Sequence, residues 1–135
     1  MNASRILVPI VFTEATFYSL RYASRLAMQK SAVLLLLHVA QSSSEVSIAQ
    51  SKLHCLSQTN KDVLFETRIV IGDPRTTIVE VAESEQVEVI VMAAYGRKSI
   101  WRRALGGVSD YVEANTKCPV ITVKYLMEEL AVQED

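Results

Sequence analysis

Val33–Val39 reads VLLLLHV, an apolar run with no polar alternation before His38. A strand with one wet face alternates, so an unbroken run of this kind fits a strand covered on both faces, as central strands of parallel sheets are. Upstream, Arg5–Ile10 (RILVPI) is a second short apolar run. Between the two, Phe17, Leu20, Ala23, Leu26 and Ala27 recur at helical spacing and mark the buried stripe of an amphipathic helix. Thr13 is placed to cap that helix, and Glu14 in its first turn meets the positive end of the dipole.

Downstream the alternation of strand and helix continues. Ser42 with Glu45 resembles a capping box, and Val46, Ala49, Leu53 and Leu56 follow at helical spacing, which predicts a helix over 44–59. Val63–Ile71 sets Phe65, Thr67, Ile69 and Ile71 against Glu66 and Arg68, the pattern of an edge strand with one face in solvent. Asp73-Pro74 combines a capping acid with proline in the first turn of a helix whose buried face is Ile78, Val81 and Ala82. Val87–Met92 reads as a fourth strand and 93–106 as a long loop ending at Gly106-Gly107. Val108, Tyr111 and Val112 then carry a fourth helix, and Val120–Val123 a fifth strand. Such alternation builds an α/β fold: a parallel sheet with right-handed crossovers and helices on both faces.

The whole chain has 135 residues, half of them apolar, which suits one domain over 1–125 followed by an acidic tail, 126–135. Fourteen basic and fifteen acidic residues give a net charge of −1, which argues against nucleic acid as a partner. No apolar run is long enough to span a bilayer and no signal peptide opens the sequence, so a cytoplasmic location is expected. Cys55 and Cys118 stand alone, without the spacing of a disulfide framework or a zinc site. His38, at a strand end, and His54, on a helix, belong to no nucleophile motif, and the acids show no paired spacing. The sequence therefore reads as non-catalytic.

In open parallel sheets ligands bind beyond the carboxyl ends of the strands, where strand order reverses. The longest loop expected there holds Gly96, Gly106 and Gly107 with Arg97, Lys98, Arg102 and Arg103. Glycines before a helix beside four cations suit an anion, but from composition alone an ordinary solvated turn is the favoured reading. Trp101 among these cations offers either an interface anchor or a side chain folded back onto the body.

Several of these segments together resemble the universal stress protein family. The likeness runs from Arg5 to Lys124 through ILVPI, LRYASRLA, GDPRTTIVEVAE, VIVMAAYGR and CPVITVK, in the family's order and spacing. It implies a doubly wound five-stranded parallel sheet of order 3-2-1-4-5, adenine nucleotide alpha hydrolase-like (Rossmann-like). By the same resemblance, nucleotide-binding positions fall on Pro9, Val11, Val39, Ala93, Gly96, Arg97, Gly106, Gly107, Val108 and Ser109. Three of these depart from the family's nucleotide-binding pattern. Ala93 stands where the first glycine is usual, Gly107 where a serine or threonine is usual, and Val11 where an aspartate is usual.

The resemblance thus implies a stress-response protein acting through protein contacts, with a degenerate nucleotide site. Its alternative is an ATP-binding switch, with magnesium on the nucleotide. A homodimer joined through Val120, Ile121, Thr122 and Val123 is expected, since a bare apolar edge invites pairing. A further protein partner is expected at Arg97–Arg103. A phosphoacceptor receiver domain fits poorly, because Val11-Phe12 fills the place of its metal-holding acids; no G-x-G-x-x-G follows the first strand either.

Overall fold

The computed structural model describes residues 4–95 and 100–125. In chain order the elements are β1 (Arg5–Pro9), α1 (Glu14–Lys30), β2 (Val33–Ala40), a 3-10 turn (Ser43–Glu45), α2 (Val46–Ser57), β3 (Phe65–Ile71), α3 (Pro74–Ser84), β4 (Val89–Tyr95), α4 (Ile100–Asn115) and β5 (Val120–Tyr125). The strands form one sheet of order β3-β2-β1-β4-β5, and every pairing is parallel.

The reading of Val33–Val39 holds physically as well as topologically. β2 lies between β1 and β3, and Leu34, Leu35, Leu36 and Leu37 are fully buried or nearly so. Leu34 and Leu36 face a core layer with Leu20, Ala23 and Ala27 of α1 and Leu53 of α2. Leu35 and Leu37 face the opposite layer with Ile78, Val81 and Ala82 of α3 and Val112 of α4. Both faces are covered, so no position on this strand needs a polar side chain before His38.

Helix α1 buries Ala15, Thr16, Ser19, Leu20, Ala23, Ser24 and Ala27. Phe17 does not join that face as its spacing predicts; it is 62% exposed, because the buried stripe runs one position earlier and is built of small residues that let α1 approach the sheet. Helix α2 begins at Val46 rather than 44, and the capping box does not form. Glu45 reaches past Ser42 to accept from the Gln41 amide at 3.0 Å, while the Ser42 hydroxyl bonds that of Ser44 at 2.8 Å. Asp73 does cap α3, its Oδ1 accepting from the Arg75 amide at 2.9 Å, a bond of about 1 kcal/mol.

The largest correction concerns residues 93–106. β4 continues through Tyr95 and α4 starts at Ile100, so Gly106 and Gly107 lie inside a helix instead of before one. No described glycine has positive φ, and neither of these two needs glycine's freedom to turn the chain. Helical propensity of glycine costs about 1 kcal/mol each, a loss that packing of α4 against α3 and β4 offsets. Of the expected Arg97–Arg103 partner loop, 100–103 belong to α4 and 97–99 lie outside the described residues, as does the tail, 126–135.

At the amino ends of the strands, Arg5 Nε donates to Glu66 Oε1 at 2.7 Å, and Lys30 Nζ to Glu88 Oε1 at 2.7 Å. The Arg5 guanidinium holds the Glu66 carboxyl below its ordinary value of 4.5, and Lys30, with the Ser4 hydroxyl, does the same for Glu88. A depressed carboxylate stabilises the fold above the unfolded value and loses that contribution as pH falls through the folded one. Wild type is therefore expected to lose urea resistance between about pH 5 and 3 slightly more steeply than an E66Q/E88Q double variant, slightly because both pairs are half exposed. Parallel slopes would contradict this.

Candidate functional site

The β1–β4 ladder consists of Ile6↔Val89 and Leu7↔Ile90, whereas β1 stays in register with β2 as far as Pro9↔Leu37. Past Leu7 the chain leans toward β2: the Ile10 amide donates to the Leu37 carbonyl at 2.7 Å. β4 meanwhile runs on to Tyr95 beside β5. A crevice opens between β1 and β4, at the point where chain order reverses and connections leave to opposite faces.

A cavity of about 110 Å³ occupies that crevice. Pro9 and Val11 line it from the end of β1, Val39 from β2, Ala93 from β4 and Val108 from α4, so five of the ten positions expected from sequence converge there. Sequence reasoning missed Ile10 beyond β1, Leu37 of β2, Ala15 and Thr16 of α1, Pro74 and Ile78 of α3, and Met92 of β4. For those on α1 and α3 the signal is position, since the starts of these helices lie just beyond the ends of β1 and β3.

The lining is apolar. Thr16 is the one polar side chain among the described lining residues, and its buried hydroxyl donates to the Val11 carbonyl. The neighbouring Ile10 carbonyl meets His38 Nδ1 at 2.9 Å. His38 in turn packs on the Phe12 ring, 4.6 Å between centroids, and Lys52 lies over that ring at 5.0 Å. Two side chains thus fasten the first loop by its carbonyls, and His38 has a structural task. Val11, 41% exposed at the rim, offers no acceptor where an aspartate would.

The remaining expected positions divide. Gly96 and Arg97 lie outside the described residues. Gly106 and Gly107 are inside α4, where amides bond to carbonyls four residues back and are not offered to a ligand. Ser109 also falls well beyond the first turn of α4, and it is buried. One contact was not foreseen: a β-carbon at Gly107 would stand 3.0 Å from Nη2 of Arg75, so the guanidinium of α3 rests against α4 at a position with no side chain to obstruct it.

A second depression, about 460 Å³, lies between α2 and β3 and is lined by Leu53, His54, Thr67, Arg68 and Ile69 among others. It is larger but open along the outer flank of the sheet, and no strand reversal or converging loop shapes it. The smaller crevice has the position of a ligand site, at a strand reversal; this groove has only volume.

Sheet order, all-parallel pairing and a crevice at the β1/β4 reversal define a doubly wound α/β fold. Residues 2–124 match the Universal stress protein family, and the chain belongs to it. The universal stress protein MJ0577 of Methanocaldococcus jannaschii is 33% identical over 78 residues, 56% of this chain and 48% of that one. A universal stress protein of Methanothermobacter thermautotrophicus is 38% identical over 65 residues, 48% of this chain and 44% of that one. The chain thus spans about half the length of the curated relatives it matches. Among solved structures, UspA from Lactobacillus plantarum superposes with a TM-score of 0.78 at 25% identity, covering 91% of this chain and 99% of that one. A universal stress protein from Archaeoglobus fulgidus, solved in complex with dAMP, superposes with a TM-score of 0.76 at 20% identity, covering 92% of this chain and all of that one. No helix among the described residues is long and apolar enough to cross a membrane.

Proposed function

We propose that this chain is a non-catalytic, dimeric stress-response protein that acts through protein contacts and holds an adenine nucleotide weakly at the β1/β4 crevice. The carrying observation is the convergence of Pro9, Val11, Val39, Ala93 and Val108 on one cavity at the strand reversal. Support comes from the dAMP complex of the Archaeoglobus fulgidus protein and from a second structural neighbour, 19% identical with a TM-score of 0.71, solved with cAMP.

Weakness follows from geometry. Sites that enclose most of a ligand measure roughly 300–1,000 Å³, against about 110 Å³ in this crevice. The cavity takes one end of the nucleotide and leaves the rest along the rim. Val11 supplies no acceptor there, a loss of about 1–3 kcal/mol. Magnesium, where it takes part, arrives on the phosphates, since the described lining residues include no acid. Calorimetry with ATP and magnesium, on protein stripped of ligand, is expected to give saturable binding with Kd in the region of about 0.1–1 mM. Absence of heat at several millimolar ATP would overturn the nucleotide reading and leave the contact module.

For the dimer, the support is the edge. β5 is the last strand of the sheet, with Val120, Ile121, Thr122 and Val123 only half-buried. An uncovered strand of this composition pairs with another copy or aggregates. Sedimentation at micromolar concentration is expected to give twice the chain mass; a monomer would contradict the pairing.

A further inference from the structure

We propose that Arg75 is the phosphate-binding residue of this site, and that Gly107 is the residue that admits it. The inference rests on the nucleotide reading above and names the group that meets the ligand's charge.

None of the described residues lining the crevice carries a charge, so a phosphate must be met at the rim. Arg75 stands there. Its chain neighbour Pro74 lines the cavity, as does Val108, the neighbour of Gly107. The guanidinium rests on Gly107, with Nη2 only 3.0 Å from where a β-carbon would be. A serine or threonine at this position would require the guanidinium to shift by a few tenths of an ångström. The side chain is exposed and forms no ion pair among the described residues, whereas Arg5 and Arg68 are each spoken for by Glu66 or Glu85. The acid nearest in sequence, Asp73, is committed to capping α3 through the Arg75 amide. A guanidinium fork binds phosphate oxygens in pairs, which a hydroxyl does not, so the exchange replaces a short neutral ligand by a long charged one.

The proposal has a sign that separates it from simple loss of a hydroxyl. Restoring the family's residue by Gly107→Ser crowds Arg75 and weakens phosphate binding, where a hydroxyl acting alone would strengthen it. Calorimetric titrations of wild type, R75Q, R75K and G107S with ATP, adenosine and inorganic tripolyphosphate test it. R75Q is expected to weaken ATP and tripolyphosphate about tenfold and leave adenosine unchanged, with R75K between the two. G107S is expected to weaken ATP as well. If wild type binds ATP and R75Q binds it equally, or if adenosine weakens in step, Arg75 has no such role and the nucleotide reading stands. Arg75-dependent binding of tripolyphosphate without ATP preference would keep the anion site and overturn the nucleotide reading. Binding of neither anion by wild type would overturn both, and tighter ATP binding by G107S would overturn the role given to Gly107.

Discussion

Leu36→Ala is expected to lower the free energy of unfolding by about 3–5 kcal/mol. Leu36 is fully buried at the centre of β2, paired in register with Val8 on one side and Thr67 on the other. It packs in the layer formed with α1 and α2. Hydrogen-bonded strands on both sides hold the backbone in place, so neighbours cannot collapse into the space left by the missing carbons. A domain of this size has roughly 5–15 kcal/mol in all, which makes the loss a large fraction of the total. Leu64→Ala is the control: Leu64 is 73% exposed, and its truncation is expected to cost under about 0.5 kcal/mol. Urea unfolding of both variants decides the matter. A Leu36→Ala loss below about 1 kcal/mol would mean that β2 is not the closed centre of the fold.

The largest functional effect is expected from Val11→Asp, as a gain. Val11 lies at the rim of the crevice, exposed enough for a carboxylate to keep its water when no ligand is bound. Its carbonyl is already taken by the Thr16 hydroxyl, so the substitution alters the side chain without freeing the loop. Supplying the acceptor that the site lacks is worth about 1–3 kcal/mol, or tenfold to roughly a hundredfold in affinity. ATP and adenosine should both gain, because the aspartate acts at the nucleoside end; tripolyphosphate should not. Unchanged adenosine affinity would show that Val11 does not face the nucleoside.

These residues also show what a single sequence yields. Val33–Val39 was legible because a strand buried on both faces leaves an unmistakable composition, and Asp73-Pro74 because a cap and an N-terminal proline act locally. The stretch 93–106 misled because glycines are turn residues by propensity, while helices in folded proteins are stabilised chiefly by packing. A contrary signal was present: Trp101, Leu105, Val108 and Val112 fall at helical spacing straight through Gly106-Gly107. Phe17 misled for the opposite reason, an apolar residue in the right period but on the wrong side of it.

At the site, positions tied to strand ends were legible, since topology alone brings the ends of β1, β2 and β4 together. Thr16 and Ile78 were not, because buried residues near the starts of helices look the same whether they face a cavity or a core. The Arg75–Gly107 contact joins α3 to α4 across the chain, and no local pattern announces it. It depends on a side chain missing from one helix and a long one present on another.

Amide chemical shifts during an ATP titration locate the ligand directly. The amides of Val11, Val39, Ala93 and Val108 are expected to shift saturably, together with Arg75 and Gly107, while those of His54, Ser57, Thr67 and Arg68 around the larger groove stay in place. Shifts confined to the α2–β3 groove, or none at millimolar ATP, would contradict the account.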